Sequence, residues 1–222
     1  MDTKVNLVLC TTESGGIGLN NTIPWRSPLD MRYFKGLTTG AEWTRNEGEP
    51  VLDNYVIMGR KTWNSLPNGA LPGRGNYVIT SSYLQDYNNA MSFGSIGGVL
   101  TWINNQVSQK GPSNHWVIGG ASIYDQFLDP QAGLKYVDHV YLNTMHKDYE
   151  CDTFVNGIND LITTGVLSED VAYHNTLNKF YEYWSARNFF GTSRGYVGAN
   201  LFAENDVKIS FRKLDVNHRM LN

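Results

Sequence analysis

The chain has 222 residues, a formal net charge of -3 and 41% hydrophobic residues, enough to bury a full core in one domain without disulfides or metal. The charge is too mild for a nucleic-acid partner, and no basic run offers a surface that tracks phosphates. No stretch approaches the ~18 apolar residues needed to span a bilayer, so neither a membrane partner nor a compartment other than the cytoplasm is expected.

The opening MDTKVNLVLC has an apolar run too short for a signal peptide and reads as the first strand, 5–10. Further strands are expected at 55–58, 77–80, 116–118 and 137–145, all nearly continuous apolar runs of the kind that central strands show when both faces are covered. Helices are expected between them at 29–37, 61–66, 98–106 and 121–128. The first opens on Ser27 and Pro28, a capping hydroxyl and a proline at the first helical position. Pro67 stops the second. Residues 36–54 are polar and Gly-rich and read as a loop or surface excursion. Residues 156–178 show no clear pattern, while the aromatic run 180–184 and the alternating 207–212 read as two late strands. The order β-α-β-α-β-α-β-α-β predicts an α/β fold with helices on both faces of a sheet.

Several familiar sites are absent. The glycine spacing before Gly59-Arg60-Lys61-Thr62 is wrong for a phosphate loop, and Gly16-Ile17-Gly18 lacks the rest of a dinucleotide fingerprint. There is no G-x-S-x-G and no H-E-x-x-H. Cys10 and Cys151 have no Cys or His at metal-ligand spacing, so idle or buried thiols and no metal are expected.

Four stretches carry chemistry. On a helix Asp30, Met31 and Phe34 share one face, which makes Asp30 an acid in an apolar wall with a raised pKa; Ser27-x-x-Asp30 is equally a capping box. Gly59-Arg60-Lys61-Thr62 puts two cations and free N–H groups at a helix start, an anion site or a solvated basic turn. Leu71-Pro-Gly-Arg74-x-Asn76 holds an arginine in a glycine turn, ready for a carboxylate or merely solubilising. Ile118-Gly119-Gly120-Ala121-Ser122 ends a strand at two glycines and starts a helix, suiting a pyrophosphate or a plain turn.

Taken in order, I-G-x-x-x-x-I-P-W, D-x-x-x-F-K, M-G-R-K-T-W-x-S-L, L-P-G-R-x-N and V-I-G-G-A-x-I-Y resemble the dihydrofolate reductase family across residues 5–155. The resemblance implies one domain over 1–222 with a mixed, mostly parallel, eight-stranded sheet flanked by helices. Its adenosine-binding lobe would span about 54–113, and 36–54 and 156–205 exceed compact members. The implied activity is NADPH-dependent reduction of 7,8-dihydrofolate, with antifolates as inhibitors and a monomer expected. Asp30 would hold the pterin and help deliver a proton to N5 through water, with Trp25 holding that water.

Val8 and Ile118 would offer carbonyls to the pterin, with Leu9, Met31 and Phe34 packing on it. Lys35, Ser65, Leu66, Leu71 and Tyr124 would line the rest of the substrate site, and Arg74 would pair the glutamate tail. Counting back from Asp152-Thr153 places Asn143 opposite Asp30, unless a bulge brings in Thr144. For the cofactor, Cys10, Ile17, Gly18 and Ile23 would surround the nicotinamide, with Gly18–Trp25 a mobile covering loop. Gly119, Gly120, Ala121, Ser122, Ile123 and Tyr124, joined by Ile118, would form the pyrophosphate loop with a cis Gly–Gly bond. Gly59, Arg60, Lys61, Thr62, Thr80 and Ser81 would take the adenosine and 2′-phosphate. No thymidylate synthase region follows within these residues, so the fused enzyme is not expected. The riboflavin-pathway reductase, which shares the fold but lacks these motifs, and a non-catalytic folate- or nucleotide-binding or structural protein are the alternatives.

Overall fold

The computed structural model describes residues 4–82, 89–191 and 194–221. The chain begins β1 (Val5–Thr12), β2 (Gly16–Gly18), α1 (Pro28–Thr39), β3 (Asn54–Gly59), α2 (Arg60–Ser65), β4 (Gly75–Ile79) and β5 (Met91–Phe93). It continues through α3 (Ile96–Lys110), β6 (Asn114–Val117), α4 (Ala121–Leu128), β7 (Val137–Met145) and β8 (Thr153–Phe154). The last part adds α5 (Ile158–Thr163), β9 (Leu167–Glu169), α6 (His174–Ser185), β10 (Arg194–Gly198), β11 (Leu201–Glu204) and β12 (Val207–Val216).

Ten strands build one mixed sheet, in the order β10-β11-β12-β7-β1-β6-β3-β4-β5 with β9 against β12. From β7 to β5 the neighbours are parallel, while β9 to β12 pair antiparallel. The sheet exceeds the expected eight because the C-terminal extension folds back on β12. Strand parity divides the core in two. Leu7 and Leu9 of β1 and Val140 and Leu142 of β7 face α3 to α5, whereas Val8 and Met145 face α1 and α6. Cys10 packs on that second side and Asn143 reaches Asp30 of α1 there. The alternation of a pleated strand thus delivers Cys10 and Asn143 to one face of the sheet.

Two expectations are corrected. The run 180–184 is helical, inside α6: Tyr173, Leu177, Phe180 and Trp184 recur at helical spacing, and Leu177 and Phe180 are fully buried by it. Aromatic β-propensity loses to that periodicity. The excursion 36–54 is also less superficial than it reads. α1 runs on to Thr39, a 3-10 turn follows at Glu42–Thr44, and Trp43 is buried, stacked 5.7 Å from Tyr33 and edge-on to Phe180 at 4.8 Å.

Candidate active site

α1 starts as its sequence demands. Ser27 Oγ accepts from the Asp30 amide at 3.0 Å, and Pro28 sits where a missing N–H costs nothing. Asp30 is therefore part of a helix start as well as a site residue. Its carboxylate Oδ1 accepts from Asn143 Nδ2 at 2.7 Å. Asn143 is in register with Cys10 on the neighbouring strand, and the Cys10 thiol also hydrogen-bonds Asp30. Thr144 points to the other side of the sheet, where it lines a cavity of about 570 Å3 with Thr11, His146 and Ser210. That cavity has no contact with Asp30, so hydrogen bonding rather than empty volume marks the site.

Part of Asp30 is solvent-exposed, yet protein crowds its carboxylate. Burial, opposed by the bonds from Asn143 and Cys10 and aided by the charge of Glu204, pushes its pKa up to about 6. Burial likewise raises the Cys10 thiol, which stays protonated. Met31 does not supply this shielding, since it is 66% exposed. Phe34 packs against the apolar cluster of α1 and α6, as do Ile118, Leu66 and Leu71; Leu9 belongs to the opposite one. Asn143, bonded to Asp30 through Nδ2, keeps a buried Oδ1 with no protein partner among the described residues, and Trp25 Nε1 is likewise buried and unpartnered. An orphaned amide oxygen next to a carboxylate suits a ligand edge that carries donors. Val8 already gives its carbonyl to Tyr124 Oη at 2.8 Å, which ties α4 to β1.

The other end of α1 carries the second group. Arg74 Nη1 donates to Thr38 Oγ1 at 2.7 Å, and its guanidinium lies 5.9 Å from the Phe34 ring centre. The turn that presents it is held by buried Asn76, bonded to Leu71 and to the Arg74 carbonyl, and by Gly73 at φ 73°. Eight residues of helix separate Asp30 from Thr38, roughly 12 Å along the axis. Lys35 and Ser65 are exposed, and Ser65 Oγ donates to the Thr62 carbonyl at 2.7 Å.

A second cluster forms where β3 and β6 end. Gly59 N donates to the Gly119 carbonyl at 2.7 Å, bringing the starts of α2 and α4 together. Both helices begin on glycine with no side-chain cap, so their first N–H groups are available to a ligand. The Gly119–Gly120 bond is cis, and Gly119 has φ 105°. A Cβ there would strike the Tyr124 ring, and one on Gly120 would crowd Thr62 Oγ1, so bare backbone lines this cradle. Ala121 is half-buried, Ile123 buried and Ser122 exposed. Arg60 and Lys61 are exposed at the start of α2; Arg60 Nη1 bonds Ser82 Oγ at 2.8 Å, while exposed Ser81 makes no such contact. Ser82 in turn is held by Thr80 Oγ1.

Gly16–Gly18 pairs with Thr153–Phe154, and Asp152 Oδ2 accepts from Asn20 N at 2.8 Å. Leu19 and Thr22 close a tight turn through Asn20 and Asn21 at positive φ. The segment carrying half-buried Ile17, buried Gly18, 64%-exposed Ile23 and Trp25 is thus a small hairpin fastened to the chain after β7.

A sequence model described as dihydrofolate reductase matches residues 4–176, more than half of the chain. The chain belongs to the dihydrofolate reductase family. It is 32% identical over 162 residues to the dihydrofolate reductase of Heliothis virescens, covering 70% of this chain and 80% of that one. It is 34% identical over 154 residues to the bifunctional dihydrofolate reductase-thymidylate synthase of Daucus carota. That match covers 67% of this chain but 27% of the carrot protein, so the chain spans under a third of that relative. In fold it is similar to the dihydrofolate reductase from Enterococcus faecalis complexed with NADP(H) and RAB-propyl, at TM-score 0.65, 18% identity and 98% coverage of both chains.

Three side chains of this dihydrofolate reductase family member escape the sequence reading. Cys10 is expected beside the nicotinamide, but its thiol meets Asp30. Ser82, not Ser81, meets Arg60. Glu204, from the far C-terminal hairpin, reaches the start of α1. The first two sit in motifs already singled out; for Glu204 no local signal exists. Among the described residues no cluster suited to a metal occurs, and no helix is long and apolar enough to cross a membrane.

Proposed function

We propose that this chain reduces 7,8-dihydrofolate to 5,6,7,8-tetrahydrofolate with NADPH, as a cytoplasmic monomer without nucleic-acid or membrane partners. The observation that carries it is the layout of α1: a crowded carboxylate at its start, an arginine bound at its end, and Phe34 between. That spacing fits a flat polar head and an anionic tail about 12 Å apart. Asp30 and the free Asn143 Oδ1 would hold the donor edge of the pterin, Phe34, Leu66 and Leu71 its apolar middle, and Arg74 its carboxylate. The bare helix starts at Gly59 and Gly120, with Arg60 and Lys61, fit the phosphates of a dinucleotide, with Thr62, Thr80 and Ser81 beside them. NADPH, when bound there, supplies the hydride that adds to C6. The chain's own part is orientation and the proton: Asp30 binds a proton as pH falls toward 6, which supports protonation at N5, and Trp25 Nε1 is a donor free to hold a water.

The test is loss of NADPH absorbance with dihydrofolate as substrate, measured across pH. Hydride transfer is expected to fall as pH rises through about 6, and Asp30→Asn to lose both that dependence and turnover by orders of magnitude. An Asp30→Asn enzyme as fast as wild type at neutral pH would overturn the role given to Asp30.

A further inference from the structure

One strongly held carboxylate has been given no task of its own in the reaction. Glu204, at the end of β11, is 4% exposed and lies beyond the residues matched to the family. Its Oε2 accepts from Ser27 Oγ at 2.5 Å, and its Oε1 accepts from Leu29 N at 3.2 Å and from Arg194 Nε at 2.5 Å. Ser27 Oγ in turn accepts from Asp30 N. A relay of hydrogen bonds therefore runs Arg194–Glu204–Ser27–Asp30, from β10 to the helix that carries the site. The first N–H groups of a helix have no partner inside it, and a carboxylate placed there satisfies them and suits the positive end of the helix dipole. Arg194 is itself held, with its guanidinium 4.7 Å from the Phe189 ring centre, and Arg32 of α1 lies 4.0 Å from the same ring.

We propose that Glu204 is a positioning residue for the reaction, anchoring the first turn of α1, and Asp30 with it, to the β10–β11 hairpin. The proposal rests on the reading of Asp30 as the substrate carboxylate. A structural brace would stop at anchoring, whereas the Glu204 charge also adds, as the smallest of the influences on it, to the upward push on the Asp30 pKa. The groups facing Asp30 are Cys10 from β1, Tyr33 from its own helix, Tyr124 from α4, Asn143 from β7 and Glu204 from β11. Burial keeps the first three neutral. Glu204, with Arg194 behind it, is the charged pair of the set, and a like charge favours the protonated form of Asp30.

Opposite substitutions in the pair give the test, with hydride transfer followed across pH in single turnovers of the full chain. Glu204→Gln removes the negative charge but keeps an acceptor for Leu29. The midpoint of the pH profile is expected to move down, on the order of half a pH unit, read as about a threefold slower rate at pH 8. Arg194→Met leaves the Glu204 charge uncompensated, and the midpoint is expected to move up. Glu204→Asp keeps the charge on a shorter arm, so its midpoint stays near wild type while its thermal midpoint drops. The NADPH Michaelis constant stays unchanged in all three. Midpoints that stay put, or that move the same way in Glu204→Gln and Arg194→Met, would reduce Glu204 to a brace and overturn the proposal. A wild-type profile without a midpoint, or one that survives Asp30→Asn, would instead overturn the reading of Asp30 and this proposal with it.

Discussion

Replacing Asp30 by Asn should stabilise the ligand-free protein, and by an amount that depends on pH. The carboxyl is raised from 3.8 to about 6, a lift of about 2.2 units, mainly by burial. Between those values the folded state binds more protons than the unfolded one, so stability falls as pH rises through the window. At 1.36 kcal/mol per unit the full cost of holding an ionised Asp30 is about 3 kcal/mol, reached above pH 6. At pH 5 about half of it is present, so the difference between variant and wild type should grow by about 1.4 kcal/mol from pH 5 to pH 8, mostly before pH 6.5. The substitution spares the local structure: Ser27 caps through the backbone N–H of residue 30, and an amide oxygen can still accept from Asn143. Urea unfolding of both proteins, followed by tryptophan fluorescence at pH 5, 6.5 and 8, measures this. Other titrating groups are common to both and cancel in the difference. A difference that stays flat across these pH values would refute a raised pKa for Asp30, and with it the proton-supply role.

Arg74→Leu should weaken dihydrofolate binding by ~2–5 kcal/mol, as loss of one partner of a desolvated ion pair does, and leave a simple dihydropterin without the tail almost unaffected. Equal losses with both substrates would make Arg74 a brace for Thr38. Asn143→Leu should depress dihydrofolate turnover by removing the donor to Asp30, whereas Thr144→Val, on the other face, should be nearly silent; the reverse pattern in steady-state rates would contradict the register. His115 is 1% exposed, and burial pushes its pKa down to about 4, so the folded state keeps it neutral. Stability should fall as pH drops from 6.5 toward 4, by about 2 kcal/mol between pH 7 and pH 5. His115→Phe, stacked on Tyr55 as His115 is, should lose that part of the acid sensitivity in the same unfolding assay.

Much of this protein is legible locally. The five central strands announce themselves as apolar runs, and α1 by Ser27 and Pro28, because backbone capping and strand burial are decided within a few residues. The motif spacing around Asp30, Gly59, Arg74 and Gly119 is likewise a short-range property, and it sufficed to point to the family. Tertiary structure decided what depends on partners distant in the chain. Whether Asn143 or Thr144 met Asp30 turned on the unbroken register of β7 from His139 to Met145, its one irregularity lying back at Asp138, and only its pairing with β1 and β12 establishes that. The run 180–184 became helix because Tyr33, Trp43 and Phe202 supply an apolar surface for one face of α6, and no window of sequence contains those residues together. Glu204 is the extreme case: it meets Ser27 across 177 positions of chain, and an exposed-looking glutamate becomes a buried helix anchor only once the sheet has closed over α1.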